Sequence, residues 1–251
     1  MASKKDFIGV FDSGVGGISV LRELVRQMPG ENYLYFGDSA NAPYGNKSTR
    51  AVRELTLKNA EMLFERGCKA LVIACNTATS AAIKDLREKY PYKVIVGIEP
   101  ALKPAAEQFP TGTIGIMATA VTLRENKLSY LLERFPQASV KKIPAPGLVE
   151  LIEQGNTAAA QTLLQSILTP YIGKLDALVL GCTHYPFVKP AIAKILGEKT
   201  LLLDGSEGTA RQTRRCLEKA GLLHEGAGSV TIENSLGTAE ILALSYELLD
   251  N

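Results

Sequence analysis

The sequence predicts an α/β fold with two similar parallel-sheet domains. Three observations support this prediction. Short apolar runs alternate with longer helical patterns, and the order of these runs repeats once along the chain. A third is that unusual polar and cysteine motifs follow several of the apolar runs. We expect the two domains to face each other across a cleft, related by a pseudo-twofold axis.

The apolar runs are short enough to be strands. They lie at residues 7–11, 33–36, 70–74, 94–98, 113–117, 140–143, 177–180 and 200–203. Helical patterns lie between many of them, at residues 19–27, 49–66, 78–89, 123–134 and 158–172. Strands separated by helices of this length indicate βαβ units and a parallel sheet. Because the strands are almost wholly apolar, we expect helices to cover both faces of each sheet.

The repeat relates strands that are 106 or 107 residues apart in the chain. The aligned strand starts are Ile8 with Ile114, Tyr33 with Val140, Ala70 with Ala177, and Val94 with Thr200. Four strands in register at one spacing indicate an internal repeat rather than a chance likeness of buried strands. The C-terminal helical pattern, residues 235–249, has no counterpart in the second repeat. We therefore predict a discontinuous first domain, residues 1–98 plus 208–251, and a second domain, residues 99–207.

Composition excludes several classes of protein. Of the 251 residues, 46% are hydrophobic and 22% charged, as in ordinary globular proteins. A net charge of +2 is too small to indicate nucleic-acid binding. The densest basic run, Arg211, Arg214, Arg215 and Lys219, fits a solvated helix face. No apolar run has the length of a signal peptide or membrane helix, so a cytoplasmic location is expected.

Four cysteines are present, and no two of them form a CxxC motif. A zinc ribbon or thioredoxin-like motif is therefore not predicted, and free thiols indicate a reducing compartment. Cys68 and Cys216 are interpreted as ordinary small hydrophobic residues. Cys75 and Cys182 differ from them, because they follow equivalent strands of the two repeats.

Every unusual motif follows a strand, where parallel α/β sheets bind their ligands. These motifs are DSGVGG from Asp12, DSANAPYG from Asp38, CNT from Cys75 and CTHYP from Cys182. If the domains face each other, the two cysteines approach one cleft from opposite sides. That arrangement suits inversion of a carbon centre, because one group removes a proton and the other delivers one to the opposite face.

Each thiol needs a partner that moves its proton. Asp12, at the end of a neighbouring strand, is the candidate for Cys75. Glu150 and His184 are the candidates for Cys182, since histidine is suited to proton transfer near neutral pH. Cys75 also precedes a helical pattern, and a helix N-terminus favours the thiolate and binds carboxylates.

At these residues the chain resembles the glutamate racemases of the aspartate/glutamate racemase superfamily. The matching motifs are GVFDSGVGG, NAPYG, ACNTATS and GCTHYP, in the family's order along nearly the whole chain. The resemblance implies two facing α/β domains, no pyridoxal phosphate, no metal, and a supply of D-glutamate for peptidoglycan. It implies glutamate as the small-molecule partner, without nucleic acid or membrane, and leaves a homodimer open.

Carried over by position, the resemblance assigns the catalytic acid/base roles to Cys75 and Cys182, assisted by Asp12, Glu150 and His184. It assigns the glutamate pocket to Asp12, Ser13, Pro43, Tyr44, Gly45, Asn76, Thr77, Thr183 and His184. Two positions depart from the family pattern: Ala145 stands where Cys is frequent, and Ser39 where Thr is usual. Neither change removes a predicted catalytic group.

Three alternatives remain open. An aspartate racemase would share both cysteines and differ in the pocket for the distal carboxylate. A dinucleotide-binding protein would use the glycines from Gly14, but the GxGxxG pattern fails at Ser19 and leaves the paired cysteines unexplained. A non-enzymatic regulator is the third.

Overall fold

The computed structural model describes residues 3–124 and 136–250 of the chain. Nine strands are present in the described part: β1 (Ile8–Asp12), β2 (Asn32–Gly37), β3 (Ala70–Ile73), β4 (Val94–Gly97), β5 (Thr113–Ala118), β6 (Ser139–Pro144), β7 (Ala177–Leu180), β8 (Leu201–Asp204) and β9 (Ser229–Asn234). The described helices are α1 (Ile18–Gln27), α2 (Thr49–Glu65), α3 (Asn76–Lys89), α4 (Leu102–Gln108), α5 (Ala120–Arg124), α6 (Leu148–Glu153), α7 (Thr157–Leu168), α8 (Lys189–Leu196), α9 (Ser206–Ala220) and α10 (Ala239–Asp250). Most of the predicted helix at residues 123–134 lies outside the described residues.

The chain divides into two compact units. The first contains Met1–Glu99 and Ser206–Asn251, and the second contains Pro100–Gly205. Each unit has its own sheet, in which every strand pair is parallel. The prediction of two parallel-sheet α/β domains is confirmed.

The first sheet has the strand order β4-β3-β1-β2-β9. One face carries Phe11 and Ile73, which pack with Val52 and Leu63 of α2 and with Leu86 of α3. Because side chains alternate along a strand, the intervening residues of β1 and β3 point to the other face, and they are buried too. Helices therefore cover both faces, as the apolar strands predict.

The second sheet has the order β6-β5-β7-β8. Its two faces bury separate apolar clusters. Met117 and Leu178 pack with Leu164 of α7 on one face, while Ile116 and Val179 pack with residues of α4 on the other. This unit is thus also a three-layer arrangement of helices around a parallel sheet.

The two sheets share one topology. If β5, β6, β7 and β8 are matched to β1, β2, β3 and β4, both sheets have the order 4-3-1-2, and β9 is an additional strand beside β2. The strand pairing also corrects one alignment from the sequence: Val94 pairs with Ala70 as Leu201 pairs with Ala177. The counterpart of Val94 is therefore Leu201 and not Thr200.

Two predicted helices end or begin elsewhere. The pattern at 158–172 is α7 followed by a 3-10 turn, Thr169–Tyr171, that contains Pro170. The C-terminal pattern begins as a helix only at Ala239, because a turn closed by the Gly237 N–H and the Asn234 carbonyl follows β9. Within residues 3–124 and 136–250, no helix is both long and apolar enough to cross a membrane.

Candidate active site

The two predicted catalytic cysteines occupy equivalent places in their units. Cys75 lies two residues beyond the end of β3, and Cys182 lies two residues beyond the end of β7. The residue before each cysteine makes the same backbone hydrogen bond: Ala74 N–H donates to the Phe11 carbonyl at 2.8 Å, and Gly181 N–H donates to the Met117 carbonyl at 2.8 Å. The internal repeat thus extends to the positions of both thiols.

Cys75 is the N-cap of α3. Its sulfur accepts a hydrogen bond from the Ala78 N–H at 3.4 Å, as a Ser or Asp oxygen does at other helix starts. A sulfur in this position faces the positive end of the helix, which favours the thiolate. Ser13 Oγ lies 3.5 Å from the Cys75 sulfur.

Asp12, the predicted partner of Cys75, is fully buried at the end of β1. Its Oδ1 accepts the Gly14 N–H at 2.9 Å, which anchors the carboxylate in the turn after the strand. Gly17 is needed beside it: a Cβ there would lie 2.5 Å from the Asp12 Cβ and 2.9 Å from the Ala74 Cβ. The absence of a side chain at Gly17 therefore allows α1 to begin against the ends of β1 and β3.

The first turn of α3 carries Asn76 and Thr77, and both are buried. Asn76 Oδ1 has no hydrogen-bond partner among the described residues. A buried acceptor without a partner is costly and is uncommon in native proteins. The amide oxygen beside Cys75 is therefore available to a polar group of a ligand.

The loop after β2 contains the NAPYG motif. Pro43 follows a cis peptide bond from Ala42, and Gly45 lies in the 3-10 turn Tyr44–Asn46. The Tyr44 ring is buried, and its hydroxyl donates to Asp38 Oδ2 at 2.7 Å. Burial, reinforced by the Asp38 carboxylate, raises the pKa of Tyr44, so its phenol is neutral at physiological pH.

Cys182 lies beside His184, in a chain of three polar side chains. The Cys182 sulfur is 3.8 Å from His184 Nδ1, and His184 Nε2 is 2.7 Å from Glu153 Oε1. Burial lowers the pKa of His184, but its interactions with Cys182 and Glu153 outweigh this effect and hold that pKa well above its ordinary value. The imidazole can thus hold a proton between the thiol and the carboxylate.

Glu153 is a residue that the sequence analysis missed. It occupies the end of α6, three residues after the predicted Glu150, which lies in the first turn of the same helix. Gly147, at φ 81°, starts that helix in the left-handed region that favours glycine. Glu153 is the carboxylate that accepts the hydrogen bond of His184, whereas the charge of Glu150 acts on Tyr185.

Thr183 and Tyr185 complete the motif around Cys182, and both are buried. The Tyr185 hydroxyl has no hydrogen-bond partner within the part of the chain that the structure describes. Burial, together with the charges of Cys182 and Glu150, raises the pKa of Tyr185. Tyr185 is therefore a neutral phenol in this environment.

The remaining cysteines lie elsewhere. Cys68 is fully buried in the core beneath β1, and burial raises the pKa of its thiol to about 12. The sulfur of Cys216, in α9, accepts a hydrogen bond from Gln212. Across residues 3–124 and 136–250, no three His, Cys, Asp or Glu side chains gather in a way that could hold a metal ion.

The fold and the paired strand-end cysteines define the class of protein. A sequence profile of the Asp/Glu/hydantoin racemase family matches residues 8–213, and the chain belongs to this family. It is an isomerase, a racemase.

Within the family, the chain is similar over its whole length to glutamate racemases. The glutamate racemase of Clostridium acetobutylicum is 52% identical over 256 residues, covering 100% of both chains. The crystal structure of a Bacillus anthracis glutamate racemase isoform superposes with a TM-score of 0.89 at 31% identity, covering 99% of this chain and 95% of the other. The Escherichia coli enzyme, solved with L-glutamate and the activator UDP-MurNAc-Ala, superposes with a TM-score of 0.86 at 31% identity, covering 98% and 92%.

Proposed function

We propose that the chain interconverts L- and D-glutamate by proton transfer between two cysteines, without a cofactor. The observation that carries this proposal is the equivalent placement of Cys75 and Cys182, each two residues beyond the matching strand of its unit. Glutamate racemases that match the whole chain, one of them at 52% identity, support glutamate as the substrate. The E. coli relative, bound to L-glutamate, supports it as well.

In the proposed reaction, the two cysteines act on opposite faces of the α-carbon. One thiolate removes the α-proton, so that the C–H bond breaks and an S–H bond forms. The other thiol gives its proton to the opposite face of the carbanion and becomes a thiolate. This requires the two domains, proposed as residues 1–98 with 208–251 and residues 99–207, to face each other across the substrate.

The neighbours of each thiol have proposed roles in these steps. At Cys75, the Ala78 N–H and the α3 N-terminus stabilise the thiolate. At Cys182, the protonated His184 stabilises the thiolate, and Glu153 orients the imidazole. Asp12 and Glu150 remain predicted assistants of Cys75 and Cys182.

We assign the glutamate pocket to the loops beside the cysteines. The N–H groups at the start of α3 suit a substrate carboxylate, and Asn76 Oδ1 suits the ammonium group because it is buried without a partner among the described residues. The other proposed pocket residues are Asp12, Ser13, Pro43, Tyr44, Gly45, Thr77, Thr183 and His184. The cellular role we propose is the supply of D-glutamate for peptidoglycan.

Circular dichroism of the reduced protein with L-glutamate, and separately with D-glutamate, tests the activity. Without added pyridoxal phosphate or metal, the optical signal should decay to zero from either enantiomer. A signal that stays constant in both directions would refute the proposed function.

Single cysteine variants test the mechanism. We assign removal of the proton from D-glutamate to Cys75 and from L-glutamate to Cys182. With glutamate analogues that eliminate a leaving group once deprotonated, Cys75→Ser should process only the L form and Cys182→Ser only the D form. Both variants should lose racemisation, since a full cycle needs both thiols. Equal processing of the two enantiomers by both variants would exclude the two-base mechanism, and reversed preferences would exclude only the assignment of faces.

A further inference from the structure

A buried hydrogen-bond network lies beneath the loop that follows β2. The Asp38 carboxylate is 3% exposed, and three side chains donate to it. Tyr44 OH reaches Oδ2 at 2.7 Å, Asn59 Nδ2 reaches the same oxygen at 3.1 Å, and Asn41 Nδ2 lies 3.0 Å and 3.2 Å from the two oxygens. The carboxylate therefore links the loop to a residue of another element, Asn59.

Asn59 is the member of this network that comes from α2. It lies on the buried face of that helix, which also carries the apolar residues Val52, Ala60 and Leu63. An amide buried on an apolar helix face destabilises the fold unless it is hydrogen-bonded. Its Nδ2 group donates to Asp38 and to Tyr44, so the amide donors of Asn59 are directed to the loop.

The three groups form a closed triangle. Asn59 Nδ2 lies 3.1 Å from Asp38 Oδ2 and 3.4 Å from the Tyr44 hydroxyl oxygen, while that hydroxyl donates its single proton to Asp38. A buried network in which each member satisfies the others holds its side chains in one geometry. Removing Asn59 would leave the Tyr44 hydroxyl with Asp38 as its one remaining partner in this network.

The position of Tyr44 matters because the loop lies close to Cys75. Tyr44 and Cys75 belong to the same buried cluster, together with Phe11, and the charge of Cys75 contributes to the raised pKa of Tyr44.

We propose that Asn59 is a positioning residue that, through Asp38 and Tyr44, holds the NAPYG loop in the geometry that binds the substrate. This inference rests on the proposed function, because the loop is the proposed glutamate pocket. Asn59 does not touch the reacting atoms in this proposal. It should therefore affect substrate affinity more than the proton-transfer steps.

The test compares Asn59→Ala with Tyr44→Phe and with the double variant in the full-length enzyme. Each single variant should raise the KM for L-glutamate about tenfold, the order expected for losing a hydrogen bond to a charged group, and change kcat less than about threefold. The double variant should be no worse than the poorer single variant, because both changes disrupt one network. Lys58→Ala, on the exposed side of the same helix, should leave both constants unchanged.

Asn59→Ser provides a second variant, and far-ultraviolet circular dichroism shows which variants are folded. Folded Asn59→Ala or Asn59→Ser with an unchanged KM would overturn the proposal, as would multiplicative effects in the double variant. A fall in kcat at constant KM would overturn it too. Failure of the wild-type protein to racemise glutamate would instead refute the proposed function, so the two failures are distinguishable.

Discussion

The two proposed acid/base thiols are held by different neighbours. Cys75 receives a backbone N–H at the start of α3 and lies beside Ser13. Cys182 lies beside an imidazole that is itself bonded to Glu153. The two cysteines thus occupy equivalent places in the repeats but have different neighbours. A helix terminus supports Cys75, and a charged side-chain pair supports Cys182.

Replacement of Glu153 by Gln tests the role of this pair. The variant removes a charge that raises the pKa of His184, so the imidazole should lose its proton at a lower pH than in the wild type. The upper limb of the pH profile of kcat/KM should then move to lower pH, and kcat should fall by roughly a hundredfold, as for loss of general acid–base assistance.

Glu150→Gln is the matched comparison for that experiment, because Glu150 lies one turn earlier on α6. A pH profile that moves in Glu150→Gln and stays in place in Glu153→Gln would show that Glu150, the residue predicted from the sequence, supports His184 instead.

Thiol reagents should distinguish the four cysteines. Iodoacetamide should inactivate the enzyme by modifying Cys75 or Cys182, and glutamate should protect it. Cys68 should stay unmodified in the folded protein, because it is fully buried and its pKa is about 12. Peptide mass mapping against residual activity measures this.

Cys216→Ser should retain the full sensitivity of the wild type to the reagent. Inactivation that follows modification of Cys216, or full activity after complete labelling of Cys75, would contradict the proposed roles.

The residues at strand ends could be predicted from the sequence, because reactive side chains after buried strands form a recognisable pattern. Glu153 and Asn59 could not. Glu153 stands in a short helix next to another glutamate, and only the position of His184 distinguishes the two. Asn59 lies in the middle of a long helix, where its bond to Asp38 depends on how α2 packs.

At the level of elements, the C-terminal part of the first unit is tied to the strands by a buried ion pair. Lys69 Nζ pairs with the Glu31 carboxylate, and both side chains are fully buried. Lys69 also donates to the Leu222 carbonyl, and Glu31 accepts the His224 N–H at 2.9 Å. The pair thus connects the starts of β2 and β3 to the segment that leads into β9.

Lys69→Met should lower the free energy of unfolding by about 3–5 kcal/mol, because it leaves the Glu31 charge buried without its partner. The double variant Lys69→Met/Glu31→Gln should lose less than the sum of the two single variants. Urea unfolding followed by circular dichroism measures both. Lys89→Met, which breaks the exposed pair with Glu61, is the control and should cause no measurable change. Equal effects in Lys69→Met and Lys89→Met would show that the buried pair has no special role.

The strands that have apolar runs could be predicted to within one residue at each end. β9 was missed, and its burial pattern gives the reason. It lies at the edge of the sheet, and its exposed residues Ser229, Thr231 and the half-buried Glu233 alternate with more buried ones. An edge strand with one polar face lacks the continuous apolar run that marks a central parallel strand.

At the level of the whole molecule, one chain carries both proposed catalytic thiols. If each site is built within one chain, then an equimolar mixture of Cys75→Ser and Cys182→Ser should remain unable to racemise glutamate. Whether the protein forms a homodimer is a separate prediction, which light scattering of the wild type would measure. Recovery of racemase activity after mixing, by contrast, would mean that two chains share a site.

The unequal surroundings of the two thiols have a kinetic consequence. The two enantiomers of glutamate have the same free energy in water, so their equilibrium constant is one. The values of kcat/KM for the two directions must then be equal. This holds even though Ser13 and the His184–Glu153 pair interact differently with their cysteines. The asymmetry of the site can therefore change kcat and KM separately in the two directions, but it must change both by the same factor. The enzyme can thus saturate at a lower concentration of one enantiomer than of the other, while the final mixture is always racemic.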